Sequence, residues 1–153
     1  MKTIKRIKVK ESIKKWNDDN PTKFKKTAET IGVEIGVAGR NFSLWNHGNI
    51  AKQIQCLYDI SNVLDCNFDD LFDFEYIPDQ DKVILKRIAL TEAIDEWNKT
   101  RRKMSINRLS ILVNYSVLRL KDWNEGTLPF PIVNFFNFCK ELEVKKPFKI
   151  LEI

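Results

Sequence analysis

The sequence contains few of the residues on which catalysis and cofactor binding usually depend. Its 153 residues include five glycines and a single histidine, His47. Five scattered glycines leave no phosphate-binding loop and no dinucleotide-binding fingerprint. No recognisable motif places a cysteine, a serine or a carboxylate beside His47. We therefore expect no catalytic residues, no cofactor and no enzymatic activity.

Cysteines and long apolar runs are also scarce. Cys56, Cys66 and Cys139 stand singly in apolar helical patterns, which predicts reduced core thiols and no metal site. No apolar run approaches the length that crosses a membrane. The first ten residues are basic but are not followed by the apolar segment of a signal peptide. We expect a cytoplasmic protein with no membrane partner.

The sequence does contain a 22-residue pattern that occurs twice. The two copies are Thr27–Gly48 and Ser105–Gly126. Each opens with a hydroxyl residue of the type that caps a helix. Between two apolar helical patterns stands a residue that tolerates a positive φ, Gly36 or Asn114. Each copy closes with Trp-Asn-x-Gly, so the spacing predicts a helix, a tight turn and a second helix, twice over.

These copies resemble the helix-turn-helix domain of the phage-repressor family (Cro/cI, or XRE-type). In the first copy the resemblance is carried by Thr27, by Ile31-Gly32, by Gly36-Val37 and by the closing Trp45-x-x-Gly48. It continues in Asn67-Phe68-Asp69-Asp70-Leu71-Phe72, which is similar to the family's closing segment. The resemblance implies an all-α fold made of two tandem five-helix units related by internal duplication.

The predicted boundaries are 1–75 for the first unit, 76–84 for an acidic linker and 85–153 for a second, more divergent unit. The first helices repeat at an offset of 81 residues (Trp16 to Trp97), whereas the helix pairs repeat at 78. The first copy therefore has three extra residues in its first loop. The acidic stretch contains Pro78 and lacks the spacing of a calcium loop, which predicts a solvated linker. All four tryptophans follow helical spacing, which favours core positions over base stacking.

The resemblance also implies which residues contact nucleic acid, because in the family the second helix of each pair enters the major groove. The candidates are Gly39, Arg40, Asn41 and Ser43 in the first copy, Ser116, Arg119 and Lys121 in the second, and Arg101 and Arg102 in the preceding loop. Arg40 can pair bidentately with guanine, and Asn41 can reach adenine or a phosphate. The net charge of +5 permits a polyanionic partner.

The sequence departs from the family at the first exposed positions of both second helices, where polar residues are usual. Ala38-Gly39 stands there in the first copy and Val117-Leu118 in the second. With Ile106, the second pair predicts an apolar patch, and such a patch more often marks a protein interface than a DNA contact.

Two functional hypotheses follow. The first is a sequence-specific, DNA-binding transcriptional regulator of phage or mobile-element type, whose two units bind half-sites about 34 Å apart. The alternative is a phage-type inhibitor, similar to anti-CRISPR proteins, that uses the scaffold to bind a host nucleic-acid enzyme or its RNA. DNA is the first partner expected, with RNA or a host nucleoprotein as alternatives. Each chain would be a pseudo-dimer, and further homodimerisation is left open.

Overall fold

The computed structural model describes residues 2–153, and over this range it is mostly helical. The α-helices are α1 (Val9–Asp19), α2 (Ala28–Ile35), α3 (Gly39–Asn46), α4 (Lys52–Val63), α5 (Leu90–Asn98), α6 (Ile106–Val113), α7 (Val117–Glu125) and α8 (Phe130–Glu141). The strands are β1 (Arg6–Ile7), β2 (Phe72–Ile77), β3 (Lys82–Ile88) and β4 (Leu151–Glu152). β1 pairs antiparallel with β4, and β2 with β3. The predicted all-α class therefore needs correction, because two small sheets accompany the helices.

The chain forms two compact units whose boundaries differ from the predicted ones. Unit 1 consists of residues 1–55 and 131–153, and unit 2 consists of residues 56–130. The division at 1–75 and 85–153 assigned each helix pair the helix that follows it in sequence. Instead, α8 belongs with the first pair, and most of α4 belongs with the second.

Aromatic packing gives the physical reason for this arrangement in unit 1. Phe42 of α3 lies 5.1 Å from Phe138 of α8, and Trp45 lies 6.2 Å from Phe135, measured between ring centroids. Phe42, Phe135 and Phe138 are fully buried. Ring pairs at these distances contribute about 0.5–1.5 kcal/mol each beyond the burial of their area. The α3–α8 contact is therefore a main part of the core of unit 1.

The predicted acidic linker, residues 76–84, is wrong, because these residues belong to a β-hairpin in unit 2. Tyr76 pairs with Val83 across the hairpin. A short 3-10 helix, Pro78–Gln80, makes the turn, and Asp81 takes a positive φ of 44°. The Tyr76 hydroxyl donates a hydrogen bond of 2.6 Å to the Asp81 carboxylate. Alternating aromatic and aliphatic side chains on the two strands outweigh the acidic composition.

Both predicted helix pairs are present, and their caps and turns are confirmed. The Thr27 hydroxyl accepts a hydrogen bond from the backbone N–H of Thr30 (3.2 Å), and that of Ser105 accepts one from Arg108 (3.1 Å). Gly36 and Asn114 end α2 and α6 with φ values of 75° and 52°. Local chemistry thus sets where the first helix of each pair begins and ends.

The small residues in α2 and α6 allow the turn after each helix to fold back on it. A Cβ atom at Gly32 would lie 2.2 Å from the carbonyl oxygen of Val37. At the equivalent position, the Ser110 hydroxyl donates a hydrogen bond to the Tyr115 carbonyl oxygen. Gly32 therefore has no room for a side chain, and the equivalent Ser110 adds a polar contact to the turn.

The asparagine of each Trp-Asn-x-Gly motif fixes the end of the second helix. In unit 1 the Asn46 side-chain oxygen accepts hydrogen bonds from the backbone N–H of Lys10 (3.1 Å) and from the Arg6 guanidinium (3.3 Å). In unit 2 the Asn124 oxygen accepts them from Thr91 N–H (3.0 Å) and Arg87 (3.2 Å). α3 and α7 are therefore held in place at their C-terminal ends.

The arginine of each anchor is itself held by two carboxylates. Arg6 pairs with Glu11 (2.9 Å) and with Glu152 (2.8 Å). Arg87 pairs with Glu92 and with Asp73. The hydrogen bond from Arg87 lowers the pKa of the Glu92 carboxyl. This network fixes the first turn of α1 and of α5 against a neighbouring strand.

Trp16, Trp45 and Trp123 are buried, which confirms their predicted core positions. Trp97 is half-buried. Cys56 and Cys139 are buried and Cys66 is half-buried, and none of the three is part of a disulfide within residues 2–153. Within residues 2–153, no helix has both the length and the apolar character needed to span a membrane.

Candidate nucleic-acid interface

The outward surface of α3 carries the candidate contacts of unit 1. Arg40, Asn41 and Ser43 are exposed, whereas Phe42 and Trp45 point into the core. The spacing of these residues gives α3 a polar side and an apolar side. The three polar residues therefore share the solvent side of one short helix that is fixed at both ends, by the Gly36 turn and by Asn46.

Gly39 was predicted to contact nucleic acid, but its position indicates a packing role. It is the first residue of α3, and a Cβ atom there would lie 2.9 Å from the backbone nitrogen and the Cα atom of Glu29. The absence of a side chain lets the start of α3 approach the start of α2. The cost of about 1 kcal/mol for glycine inside a helix is small here, since the residue stands at the helix end.

The loop between α1 and α2 presents a basic and aromatic tip. The Asn17 side chain and the Lys26 backbone exchange two hydrogen bonds of 3.0 and 2.8 Å, which close the loop. At the tip, Lys23 and Lys25 are exposed and flank Phe24, which is 97% exposed. Phe24 was not among the predicted contacts. The sequence could have indicated its exposure, because it is an aromatic residue between two lysines in a polar loop and belongs to no apolar helical pattern.

The outward surface of α7 is less polar than that of α3. Ser116, Arg119 and Lys121 are exposed, as the predicted contacts require. Leu118 is 73% exposed and stands 78 residues after Arg40, at the equivalent position. Of the predicted apolar patch, Ile106 and Val117 are half-buried, so Leu118 is its one fully exposed member.

Two further apolar residues, both on α6, are exposed in unit 2. Ile111 is 80% exposed and Leu112 is 43% exposed. Neither residue was among the predicted members of the patch. Unit 2 therefore presents apolar side chains on both helices of its pair.

The two loop arginines before α6 have different environments. The Arg101 guanidinium pairs with the Asp65 carboxylate at 2.7 Å and lies over the Trp97 ring, 4.3 Å from its centroid. Arg102 is exposed, and within residues 2–153 its guanidinium makes no ion pair, while its carbonyl oxygen accepts a hydrogen bond of 2.9 Å from the Trp97 indole N–H. We therefore assign Arg101 a structural role, and Arg102 keeps its predicted availability to a phosphate.

Charge is divided unequally between the units. Unit 1 contains 16 lysines and arginines against 8 acidic residues, a net charge of +8. Unit 2 contains 10 against 13, a net charge of −3. Phosphate contact depends on positive charge, so the electrostatics favour unit 1 as the nucleic-acid-binding unit.

No group of three or more histidine, cysteine, aspartate or glutamate side chains within residues 2–153 is arranged to hold a metal. His47 ends α3, and its Nδ1 atom lies 2.7 Å from the Ser43 carbonyl oxygen. We interpret His47 as part of the helix end.

The chain was also compared with known proteins. No family model matches it, and neither a curated protein nor a solved structure does. The resemblance to the phage-repressor family therefore remains a prediction carried by the residues quoted above.

Proposed function

We propose that the chain is a DNA-binding transcriptional regulator of phage or mobile-element type, and that unit 1 makes the DNA contact. The observation that carries this proposal is the exposed set Arg40, Asn41 and Ser43 on α3, within a unit of net charge +8. A helix of this size fits the major groove of B-form DNA.

In this proposal α3 is the recognition helix. Arg40 pairs with the N7 and O6 atoms of a guanine, and Asn41 contacts an adenine or a phosphate. Lys23 and Lys25 contact phosphates at the edge of the groove, and Phe24 packs against the sugar-phosphate backbone between them. The Asn46 anchor holds the helix in the orientation that these contacts need.

We also infer that the two units derive from an internal duplication. Equivalent contacts recur in both, including the anchors at Asn46 and Asn124 and the strand pairs of Arg6 with Glu152 and Arg87 with Asp73. In a duplicated chain the two halves of the sequence fold alike. The helix and the strand that end one half can therefore pack against the other half, because both halves offer the same surface to them.

Replacing Arg40 by alanine tests the proposal, and Leu118→Ala is the matched control at the equivalent position. Fluorescence anisotropy with duplex DNA from the region flanking the gene measures the affinity. Arg40→Ala should weaken binding by about 1–3 kcal/mol, because one bidentate base contact is lost. Leu118→Ala should leave DNA affinity unchanged. Equal affinities for wild type and Arg40→Ala would overturn the assignment.

A second candidate function is favoured by unit 2. Ile111, Leu112 and Leu118 expose apolar surface in a unit of net charge −3, which suits a protein partner better than DNA. This is the anti-CRISPR-like hypothesis, in which the partner is a host nucleic-acid enzyme. Leu118→Asp should then abolish inhibition of that enzyme while DNA affinity stays the same. Loss of function in Arg40→Ala alone would favour the regulator.

A further inference from the structure

Unit 1 contains a groove between α1 and the segment that follows α8. Its volume is about 760 Å³, within the usual range for ligand sites. Five lysines line it, namely Lys8, Lys15, Lys145, Lys146 and Lys149. Its apolar lining comes from Trp16, Leu142, Val144 and Ile150. No residue of α2 or α3 is among the lining residues described, so the groove is separate from the proposed DNA contact.

Unit 2 has a groove at the equivalent position, but its charge is reversed. It measures about 370 Å³ and is lined by Trp97, which stands 81 residues after Trp16. Glu96 takes the position equivalent to Lys15, and Asp70 is also part of the lining. The same backbone arrangement thus carries mainly basic residues in unit 1 and mainly acidic residues in unit 2.

The two grooves also differ in whether their charges are balanced. In unit 2, Asp65 pairs with Arg101, Glu92 with Arg87 and Glu96 with Lys99. In unit 1, Lys15 pairs with Asp19, whereas Lys145, Lys146 and Lys149 make no ion pair within residues 2–153. The basic groove therefore has positive charge available to an external anion.

The chemistry of the basic groove disfavours a nucleic acid as its ligand. Base stacking needs an exposed aromatic face. Trp16 is only 8% exposed, and the Lys26 ammonium lies over its ring, 4.3 Å from the centroid. Glu11, Asp19 and Glu143 also line the groove and would repel a continuous run of phosphates. A peptide that combines separate carboxylates with apolar side chains fits this lining better.

We propose that the basic groove of unit 1 binds an acidic peptide segment of a partner protein. The carboxylates of the peptide pair with Lys145, Lys146 and Lys149, and an apolar side chain of the peptide packs on Val144, the least buried of the four apolar lining residues. Binding of an amphipathic helix in a groove is a common mode of peptide recognition. This role is independent of the proposed DNA contact, because the two sites share no residue.

The test uses the full-length protein and a fluorescein-labelled peptide of about four helical turns, with leucine at every third or fourth position, one glutamate beside each leucine and glutamine elsewhere. Anisotropy should show saturable binding that weakens with salt. Lys145→Glu/Lys149→Glu should reduce the affinity by roughly tenfold or more, because attraction becomes repulsion. Lys82→Glu/Lys86→Glu makes the same change of net charge on exposed hairpin residues, and it should leave the affinity nearly unchanged.

Three results would overturn the proposal. The first is no binding of the peptide to the wild type. The second is equal loss of affinity in both double variants, which would show that net charge alone attracts the peptide. The third is displacement of the peptide by a thymidine oligonucleotide whose own binding requires Lys145 and Lys149, which would make the groove a nucleic-acid site. Circular dichroism of each variant checks that the lysine replacements leave the fold intact.

Discussion

The Asn46 side-chain oxygen lies 3.1 Å from the backbone nitrogen of Lys10, so the end of α3 is fixed to the first turn of α1. Asn124 and Thr91 repeat this contact at 3.0 Å in unit 2. The glycine two residues after each asparagine, Gly48 or Gly126, is required because there is no room for a side chain. A Cβ atom at Gly48 would lie 2.7 Å from the Lys5 carbonyl oxygen. The Trp-Asn-x-Gly motif is therefore a packing and anchoring element.

Asn46→Ala and Asn124→Ala should each lower the free energy of unfolding by about 0.5–1.5 kcal/mol, because each removes the hydrogen bond from an exposed backbone N–H, of Lys10 or of Thr91, to the asparagine oxygen. Urea denaturation followed by circular dichroism measures the change. Asn107→Ala, at an exposed position on α6, is the control and should cause no loss. Equal stability of all three variants would show that the anchor contributes nothing.

Arg101→Ala should lower the stability by about 1 kcal/mol, because an exposed ion pair with Asp65 and a cation–π contact with Trp97 are lost. Its affinity for DNA should not change, since the guanidinium is already paired. Arg102→Ala should leave the stability unchanged. Thermal melts and anisotropy measured on the two variants compare these effects, and a loss of DNA affinity in Arg101→Ala would return this residue to the interface.

Gly32→Ala should be more destabilising than Gly36→Ala. At Gly32 the added Cβ meets backbone, the Val37 carbonyl oxygen at 2.2 Å, and overpacking of this kind costs about 1–3 kcal/mol or more. At Gly36 there is free space within 4 Å, and only the positive φ of 75° opposes alanine, at about 1–2 kcal/mol. Urea denaturation ranks the two variants, and the reverse order would contradict the close approach of the turn to α2.

The Cys66 thiol should react slowly at neutral pH. Burial, followed by the negative charges of Asp70 and Asp65, raises its pKa from 9.0 to about 11. The rate of alkylation by iodoacetamide, measured by mass spectrometry of the Cys66 peptide, should rise about tenfold per pH unit until the pH approaches that value. Asp70→Asn should lower the pKa and speed the reaction at pH 8. A rate that levels off near pH 9 in the wild type would contradict this assignment.

The helix pairs could be predicted from the sequence because their signals are local. Thr27 caps the helix that begins at the next residue, and Gly36 ends it. The partner of each closing helix could not be predicted in this way. Leu57 and Ile60 of α4 have the same spacing as Phe135 and Phe138 of α8, and Leu64 and Leu142 directly after the two helices continue the pattern. Apolar spacing does not specify which surface a helix covers.

The hairpin and the candidate site show two further limits of prediction from the sequence. In residues 72–77 the acidic composition and Pro78 masked an alternating strand pattern. In the sequence, Arg101 stands in a basic loop and was predicted to contact phosphate. Its ion-pair partner Asp65 stands 36 residues away, so the pairing could not be predicted from neighbouring residues. The resemblance to the phage-repressor family implied that Arg40, Asn41 and Ser43 are exposed contacts, and their exposure is confirmed. Whether they bind DNA is the central claim to be tested.

A salt titration of DNA binding tests that claim most directly. Each phosphate contact contributes about −0.9 to the slope of log affinity against log salt concentration. The wild type should bind the flanking duplex with a steep slope and bind a structured RNA weakly. Lys23→Ala/Lys25→Ala should reduce the slope by about 2, whereas Lys82→Ala/Lys86→Ala should not change it. Weak binding that does not depend on salt, or slopes equal in all three proteins, would contradict the assignment of unit 1 as the DNA-binding unit.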